Sequence, residues 1–385
     1  MSLRILHVTP YFTEAWAYGG IPRVAAAQVR GLTRLGHEVT VATTDVRDAD
    51  SRVHSGWHDP EMDVHVFPNL SNRLAFHWQC YLPRGMSRFL DRTVERFDIV
   101  HIHAHRNAPE AHAASACRRA NVPYVLGPNG TAPRLERREA LKRVWDLLWG
   151  DAILRDAAAV VAVSPSERRQ LTALGVPADR VCEVPNPIDL AEFATPFRGR
   201  SSGEGAPVVA YLGKMTPRKR LDVVVEAMPR VSSPDVRLAI AGSDMGGLAG
   251  PLRRAGALGL GARIDQVGTL AGRARLEWLA AADVVVYPAT DEAFGLVPVE
   301  ALLCGTPVIV ADDGGCAEMV GSLAGAQTVV AGDAAALASA IDRVLGDTPG
   351  WRSAAAAGAS TVRERYGTEV VAASLDALYR KVLAH

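Results

Sequence analysis

The feature that most constrains this 385-residue chain is an alternation that runs almost throughout. Short apolar runs rich in β-branched residues take turns with amphipathic helical segments. That pattern predicts parallel strands joined by crossover helices, an α/β fold of doubly wound sheets. In the first half the spacing predicts strands over 4–8, 38–43, 98–103, 124–126, 159–163 and 181–184. In the second half it predicts 208–212, 237–241, 264–267, 283–287, 307–310 and 327–330. Several of these runs are apolar on both faces, as strands buried between helix layers must be. Between the halves, residues 189–206 end in the polar sequence GRSSGEG and read as a linker. After Gly350 the pattern is helical to the end, with apolar residues at helical spacing over 368–384.

A chain of this length exceeds the size at which one hydrophobic core keeps growing, so two domains are expected. In open α/β sheets ligands bind outside the carboxyl ends of the strands. Two facing sheets would then hold a ligand in the crevice between the domains. Lys+Arg and Asp+Glu both number 42, and this neutral balance argues against a nucleic-acid partner. The five cysteines (Cys80, Cys117, Cys182, Cys304, Cys316) are scattered and form no CxxC. They read as reduced thiols rather than a disulfide frame or zinc site. The start MSLRILHVTPYF is too short in apolar residues for a signal peptide, and no run approaches a membrane span. The expected location is the cytoplasm.

The chemistry concentrates in residues 291–318, DEAFGLVPVEALLCGTPVIVADDGGCAE. Glu292 and Glu300 flank a Phe294-Gly295-Leu296 turn and a short apolar helix expected to open at Pro298. Glu300 would fall in its first turn, near the free amides of Leu296 and Val297. A carboxylate for sugar hydroxyls would then stand beside a half-positive helix end for a phosphate. Two carboxylates could equally serve as a glycosidase pair, because sequence spacing does not set their separation in space. After the strand over 208–212, Lys214 and Lys219 lie across a turn containing Pro217. Two cations at a strand end can neutralise a leaving diphosphate, although a solvated basic loop has the same composition.

In the first half, Gly19 and Gly20 precede a helix and allow close backbone approach to a diphosphate or acceptor. His101, His103 and His105 alternate at a strand end, where they would share one face and could hold zinc. No carboxylate or cysteine stands nearby in sequence, and His103 alone is the better functional candidate. Asp48-Ala49-Asp50 matches the DxD pattern of metal-dependent sugar transfer but sits in a polar loop. Residues 133–150 carry Leu141, Val144, Trp145 and Leu148 on one helical face, with Arg134, Arg137, Arg138, Lys142 and Arg143 beside them. Such a segment can lie on an anionic membrane, or pack on its own sheet or an acceptor cleft. Residues 54–81, with Trp57, His58, Trp78 and Tyr81, offer aromatic and polar groups suited to a glycan or lipid-linked acceptor.

Taken in order, YGGIPRVAAAQVRGLTRLGHEVTVAT, FDIVHIHAH, SPSERRQLTALGV, VPNPIDL, YLGKMTPRKRLDVVVEAM and ADVVVYPATDEAFGLVPVEALLCGTPVIVADDGGCAEMV resemble the retaining glycosyltransferases of the GT-B fold, family 4 (glycosyl transferases group 1). The resemblance implies two Rossmann-like domains facing across a cleft. An acceptor-binding domain would comprise 1–190 plus 366–385, a linker 191–206, and a donor-binding domain 207–365. It implies transfer of a hexose from a UDP- or GDP-linked donor to a glycan, glycolipid or small-molecule hydroxyl, with retention and without metal or other cofactor. Glu300 would bind the donor ribose and Glu292 face the donor sugar. Phe294, Gly295, Leu296 and Val297 would offer amides, and Lys219 would take the diphosphate. Lys214 stands where the family usually has arginine, which keeps the charge but loses the bidentate fork. Arg220 replaces the usual glycine. Val267 and Gly268 would frame the base, Gly20 would lie near the phosphates, and His103 on the sugar or acceptor side. The implied mechanism is a front-face displacement. The readings that stay open are a nucleotide-sugar epimerase of the same architecture and a non-catalytic sugar-nucleotide binder. The enzyme could also sit peripherally at the inner membrane face through 133–150.

Overall fold

The computed structural model describes residues 1–54, 59, 61–135, 138–199 and 205–384. They form two compact units, one of Met1–Ile188 with Thr368–His385 and one of Asp189–Gly367.

The first unit is built on a parallel sheet of β1 (Arg4–Val8), β2 (Glu38–Thr44), β3 (Asp63–Phe67), β4 (Ile99–His103), β5 (Tyr124–Gly127), β6 (Ala159–Ala162) and β7 (Val181–Glu183). Their spatial order is β3-β2-β1-β4-β5-β6-β7. The central strands β4, β5 and β6 are buried along their whole length, which explains the apolar runs of β5 and β6, while β4 buries His101 and His103 within its own. Strand β3 is an addition to the sequence reading. It is an edge strand, DVHVF, half-buried and pairing only with β2, so it never needed an apolar run. The helix Thr368–Leu383 packs on the helix Ile21–Arg34, where a Cβ at Gly31 would lie 2.7 Å from the Ala372 methyl.

The second unit holds β8 (Val208–Leu212), β9 (Arg237–Ala241), β10 (Ile264–Gly268), β11 (Val284–Tyr287), β12 (Val308–Ala311) and β13 (Ala326–Val329). All pair in parallel, in the order β10-β9-β8-β11-β12-β13. The segment read as a linker begins within this unit. Leu190–Phe193 is a 3₁₀ turn, and Glu192 pairs with Arg275 at 2.9 Å. Residues 200–204 of the same segment lie outside the described residues.

In each sheet the chain winds outward one way and then returns to wind the other. The reversal falls between β1 and β4 in the first unit and between β8 and β11 in the second. Loops diverge at such a point and leave a concavity at the strand ends, which is where doubly wound folds place their ligands.

Candidate functional site

The reversal in the second unit brings the loop after β8 against the loop after β11. Their backbones join where the Thr290 amide donates to the Arg218 carbonyl at 2.9 Å. Lys219 is buried there, and its ammonium donates to the Tyr287 hydroxyl at 2.5 Å and to the Glu292 carboxylate. Arg218 donates to the same carboxylate oxygen at 3.3 Å and to the Asp291 carbonyl at 2.8 Å. Burial alone would disfavour the charged carboxylate. Lys219, Arg218 and Lys214 outweigh it and hold Glu292 at about 2. Burial pulls the Lys219 ammonium below its ordinary value, with Glu292 working against that shift. Two residues 73 positions apart thus become one buried ion pair.

The turn after Glu292 depends on Gly295. Its φ of 87° is left-handed, and a Cβ there would lie 2.5 Å from the Cys316 sulfur. The following helix runs Leu296–Leu303. It opens two residues earlier than expected, because Gly295 rather than Val297 supplies the cap, and Pro298 sits at the third helical position. Leu296 and Val297 therefore lie in the first turn, where their amides have no intrahelical partner to bind. Glu300 moves to the second turn. It is buried, and its Oε2 forms an ion pair with Arg275, itself buried and tied to Glu192. The ring of Phe294 points into the core and meets Tyr366 edge-on at 5.2 Å. The helix Gly314–Val320 braces the loop from behind, since the Cys316 amide donates to the Glu292 carbonyl at 3.1 Å.

Three neighbouring strand ends are laced together. The Gly213 amide donates to the Ala241 carbonyl at 3.1 Å, and the Gly242 amide donates to the Gly268 carbonyl at 2.8 Å. Gly242, at φ 130°, admits the Gly213 backbone so closely that a Cβ would sit 1.9 Å from its oxygen. This places Lys214, Val267 and Gly268 at the carboxyl ends of β8 and β10. Val267 is exposed there. Arg220 adopts φ 53°, the conformation a glycine would take at no cost, and pairs with Asp222 at 3.0 Å.

In the first unit Gly19 (φ 89°) and Gly20 lead from the turn Trp16–Tyr18 into the helix Ile21–Arg34, with Gly20 at its N-cap. The three alternating histidines do not share one face. His105 lies past the strand, where Ala104 has φ 67°, and its Nε2 meets the Gly150 carbonyl at 3.2 Å. His7 of β1 takes its place. His7 Nδ1 and His103 Nε2 are 2.8 Å apart, and His103 stacks on His101 at 4.5 Å. His101 Nδ1 in turn meets the Tyr379 hydroxyl at 2.5 Å. The nitrogens of the three lie within 4.8 Å of one another, and no carboxylate or thiolate belongs to the group among the described residues. Burial pushes His103 down to about 3 and holds all three neutral. The reading of His103 as a group on the open sugar or acceptor side therefore meets a fully buried imidazole in a hydrogen-bonded stack.

Asp48 accepts from the amides of Asp50 and Ser51 at 2.9 and 2.7 Å, and Asp50 pairs with Arg73 at 3.0 Å. The DxD match is thus a self-capped loop. Of the aromatic residues in 54–81, Tyr81 is buried against Tyr11 and Tyr18, and Trp78 is exposed. Trp57 and His58 lie outside the described residues, as does Arg137.

Sequence reading missed Arg218, Tyr287, Arg275, Cys316, Gly242 and His7. Arg218 could have been counted with its neighbours in the KMTPRKR run. Nothing in the sequence announces the others, because each becomes part of the site only through strand adjacency.

Residues 195–360 match the family described as Glycosyl transferases group 1, and residues 18–192 match Glycosyltransferase Family 4. The Anabaena Alr3699/HepE structure in complex with UDP and glucose is similar, with a TM-score of 0.76 and 20% identity, covering 98% of this chain and 99% of that one. The fold is therefore GT-B, two parallel-sheet α/β domains. The D-inositol 3-phosphate glycosyltransferase of Nocardia farcinica is 31% identical over 281 residues, 69% of this chain. That alignment spans 58% of the relative's length. The protein of the same name from Jonesia denitrificans is 30% identical over 342 residues, 78% of this chain and 76% of its own. The chain belongs to the group 1, family 4 glycosyltransferases.

Proposed function

We propose that this chain transfers a hexose from a nucleoside-diphosphate sugar to a hydroxyl of a glycan, glycolipid or small molecule, with retention and without a metal. The observation that carries the reading is the buried Lys219–Glu292 pair at the carboxyl ends of β8 and β11, with Arg218 and Lys214 adding positive charge. The diphosphate would lie against Lys214, Lys219 and the first-turn amides of Leu296 and Val297. These cations would stand where negative charge develops on the departing diphosphate. The acceptor hydroxyl would attack the anomeric carbon on the face the diphosphate vacates. As the C–O bond to phosphate breaks and the new glycosidic bond forms, the departing phosphate oxygen takes the hydroxyl proton. Catalysis is then orientation and leaving-group stabilisation, with no covalent sugar–enzyme bond.

Glu292, kept ionised by its cations, would accept a hydrogen bond from a donor-sugar hydroxyl, beside the amides of Phe294 and Gly295. Glu300 would bind the ribose, its carboxylate oriented by Arg275, and Val267 and Gly268 would frame the base. UDP and GDP donors both suit these groups. His103, buried in its stack, would act by fixing the β1–β4 strand ends.

A chelator-treated sample tested against UDP-, GDP-, ADP- and dTDP-sugars, by thermal shift and then by donor turnover, checks the reading. One stabilising donor, with the effect lost in Glu300→Ala and an anomer-retained product by NMR, is the expected result. Donor converted to an altered nucleotide-sugar without acceptor would point instead to an epimerase, and stoichiometric binding without product to a binder. An absolute need for a divalent ion would overturn the mechanism.

A further inference from the structure

The segment after β5 turns its apolar side outward. The helix Glu139–Trp145 continues through a wide turn at Asp146–Gly150 into Asp151–Asp156. One acidic residue pins it inward. Asp146 is buried, with Oδ1 and Oδ2 receiving Arg106 at 2.7 and 2.9 Å and Arg134 on Oδ2 at 2.7 Å. Arg106 also donates to the carbonyls of Thr131, Ala132 and Pro133. With the polar residue inside, the large side chains face away. Leu147 is 81% exposed, and Leu141, Val144, Leu148 and Trp149 lie between 45% and 59%. An amphipathic helix packed on its own sheet shows the reverse arrangement.

A second helix extends the patch. Asn72–Trp78 leaves Leu74 and Trp78 exposed, and the Arg138 guanidinium lies 3.7 Å from the Trp78 ring centroid and donates to the His77 carbonyl at 3.3 Å. The sequence over 133–150 carries five cations against three carboxylates, in a chain whose overall balance is zero. Contiguous exposed apolar side chains on this scale mark a binding surface. Tryptophans beside basic residues with long apolar stems suit the boundary between headgroups and acyl chains.

We propose that this two-helix face docks on the surface of an anionic lipid bilayer. The aliphatic residues and Trp149 enter the acyl boundary, and Arg138, Lys142 and Arg143 meet lipid phosphates. Contact is peripheral, since no helix among the described residues is long and apolar enough to cross a membrane. On this face Arg143 pairs with Glu139 at 2.6 Å, and Arg138 and Lys142 leave it net positive, which favours an anionic lipid surface over a second copy of the same face. The inference stands on unit-one residues alone and does not depend on the donor chemistry proposed above.

Co-sedimentation of the full chain with vesicles tests it. Phosphatidylcholine vesicles are compared with phosphatidylcholine–phosphatidylglycerol vesicles at low and high salt, for the unaltered chain and for Leu147→Glu/Leu148→Glu. The expected result is salt-sensitive binding to the anionic vesicles only, with a blue-shifted tryptophan emission. The double variant should lose at least tenfold in partitioning and keep its circular dichroism melt. No binding by the unaltered chain at low salt would overturn the proposal, as would equal binding by the double variant. A concentration-dependent dimer abolished by the same variant, without vesicle binding, would assign the face to a second copy.

Discussion

Replacing Lys219 by Met tests the reasoning about the buried pair most directly. Glu292 is held at about 2 against an ordinary 4.5. A depressed carboxylate contributes stability that is present above pH 4.5 and is lost as pH falls toward 2. At 1.36 kcal/mol per pKa unit, that shift corresponds to about 3 kcal/mol. In Lys219→Met the carboxylate keeps Arg218 at 3.3 Å but loses its nearest cation while staying buried. The expected loss at pH 7 is about 2–3 kcal/mol, the lower side of what breaking a buried pair usually costs. Lys219→Met/Glu292→Gln removes the orphaned charge and should recover at least about 1 kcal/mol. Urea unfolding at pH 7 and pH 3 measures both quantities, and the gap between Lys219→Met and the unaltered protein should narrow at pH 3. Equal stability of single and double variants, or a gap independent of pH, would refute the ionised pair. In the same samples the transfer rate with the donor found by screening should fall about 10²-fold or more, with smaller change in donor KM. Full transfer rate in Lys219→Met would remove the leaving-group role while leaving the stability argument intact.

Other residues give independent outcomes. Gly242→Ala forces a Cβ to 1.9 Å from the Gly213 oxygen at φ 130°, and should cost on the order of 3 kcal/mol in denaturant unfolding. Glu110 is fully buried, and burial raises it to about 8, so the folded state holds its proton. A raised acid contributes stability present below its unfolded value near 4.5 and lost as pH rises through 8. Glu110→Gln should therefore be more stable than the unaltered protein at pH 8.5, and the difference should shrink steadily toward pH 5 in parallel melts. Asp146→Asn leaves the partly buried Arg106 without its counter-charge and should cost about 3 kcal/mol, with protease cleavage appearing near residues 139–156.

In the second sheet β8, β9, β11 and β12 were legible as the apolar runs that buried parallel strands require, whereas the partly exposed edge strands β10 and β13, IDQVG and AQTV, were placed by their position in the alternation. The edge strand β3 escaped, since half-burial demands no such run. The Gly295 turn was legible from chemistry: a glycine between Glu292 and a short apolar helix marks a left-handed position, although Pro298 suggested a later helix start. The histidine run was misleading. Period-two alternation holds only while the chain stays extended, and Ala104 leaves that conformation, so His105 departs and His7 arrives from a neighbouring strand.

What the sequence determined by itself was the class of fold, through local periodicity, and the ordered motifs that mark the family. Those are properties of contiguous residues. Tertiary structure decided which charges meet. Lys219 reaches Glu292, Glu300 reaches Arg275, and Asp146 reaches Arg106 only because strands and helices distant in sequence lie side by side. It also decided which face of residues 139–156 looks outward. A helical wheel gives the apolar stripe but not its direction, and one buried aspartate held by two arginines turns that stripe toward solvent.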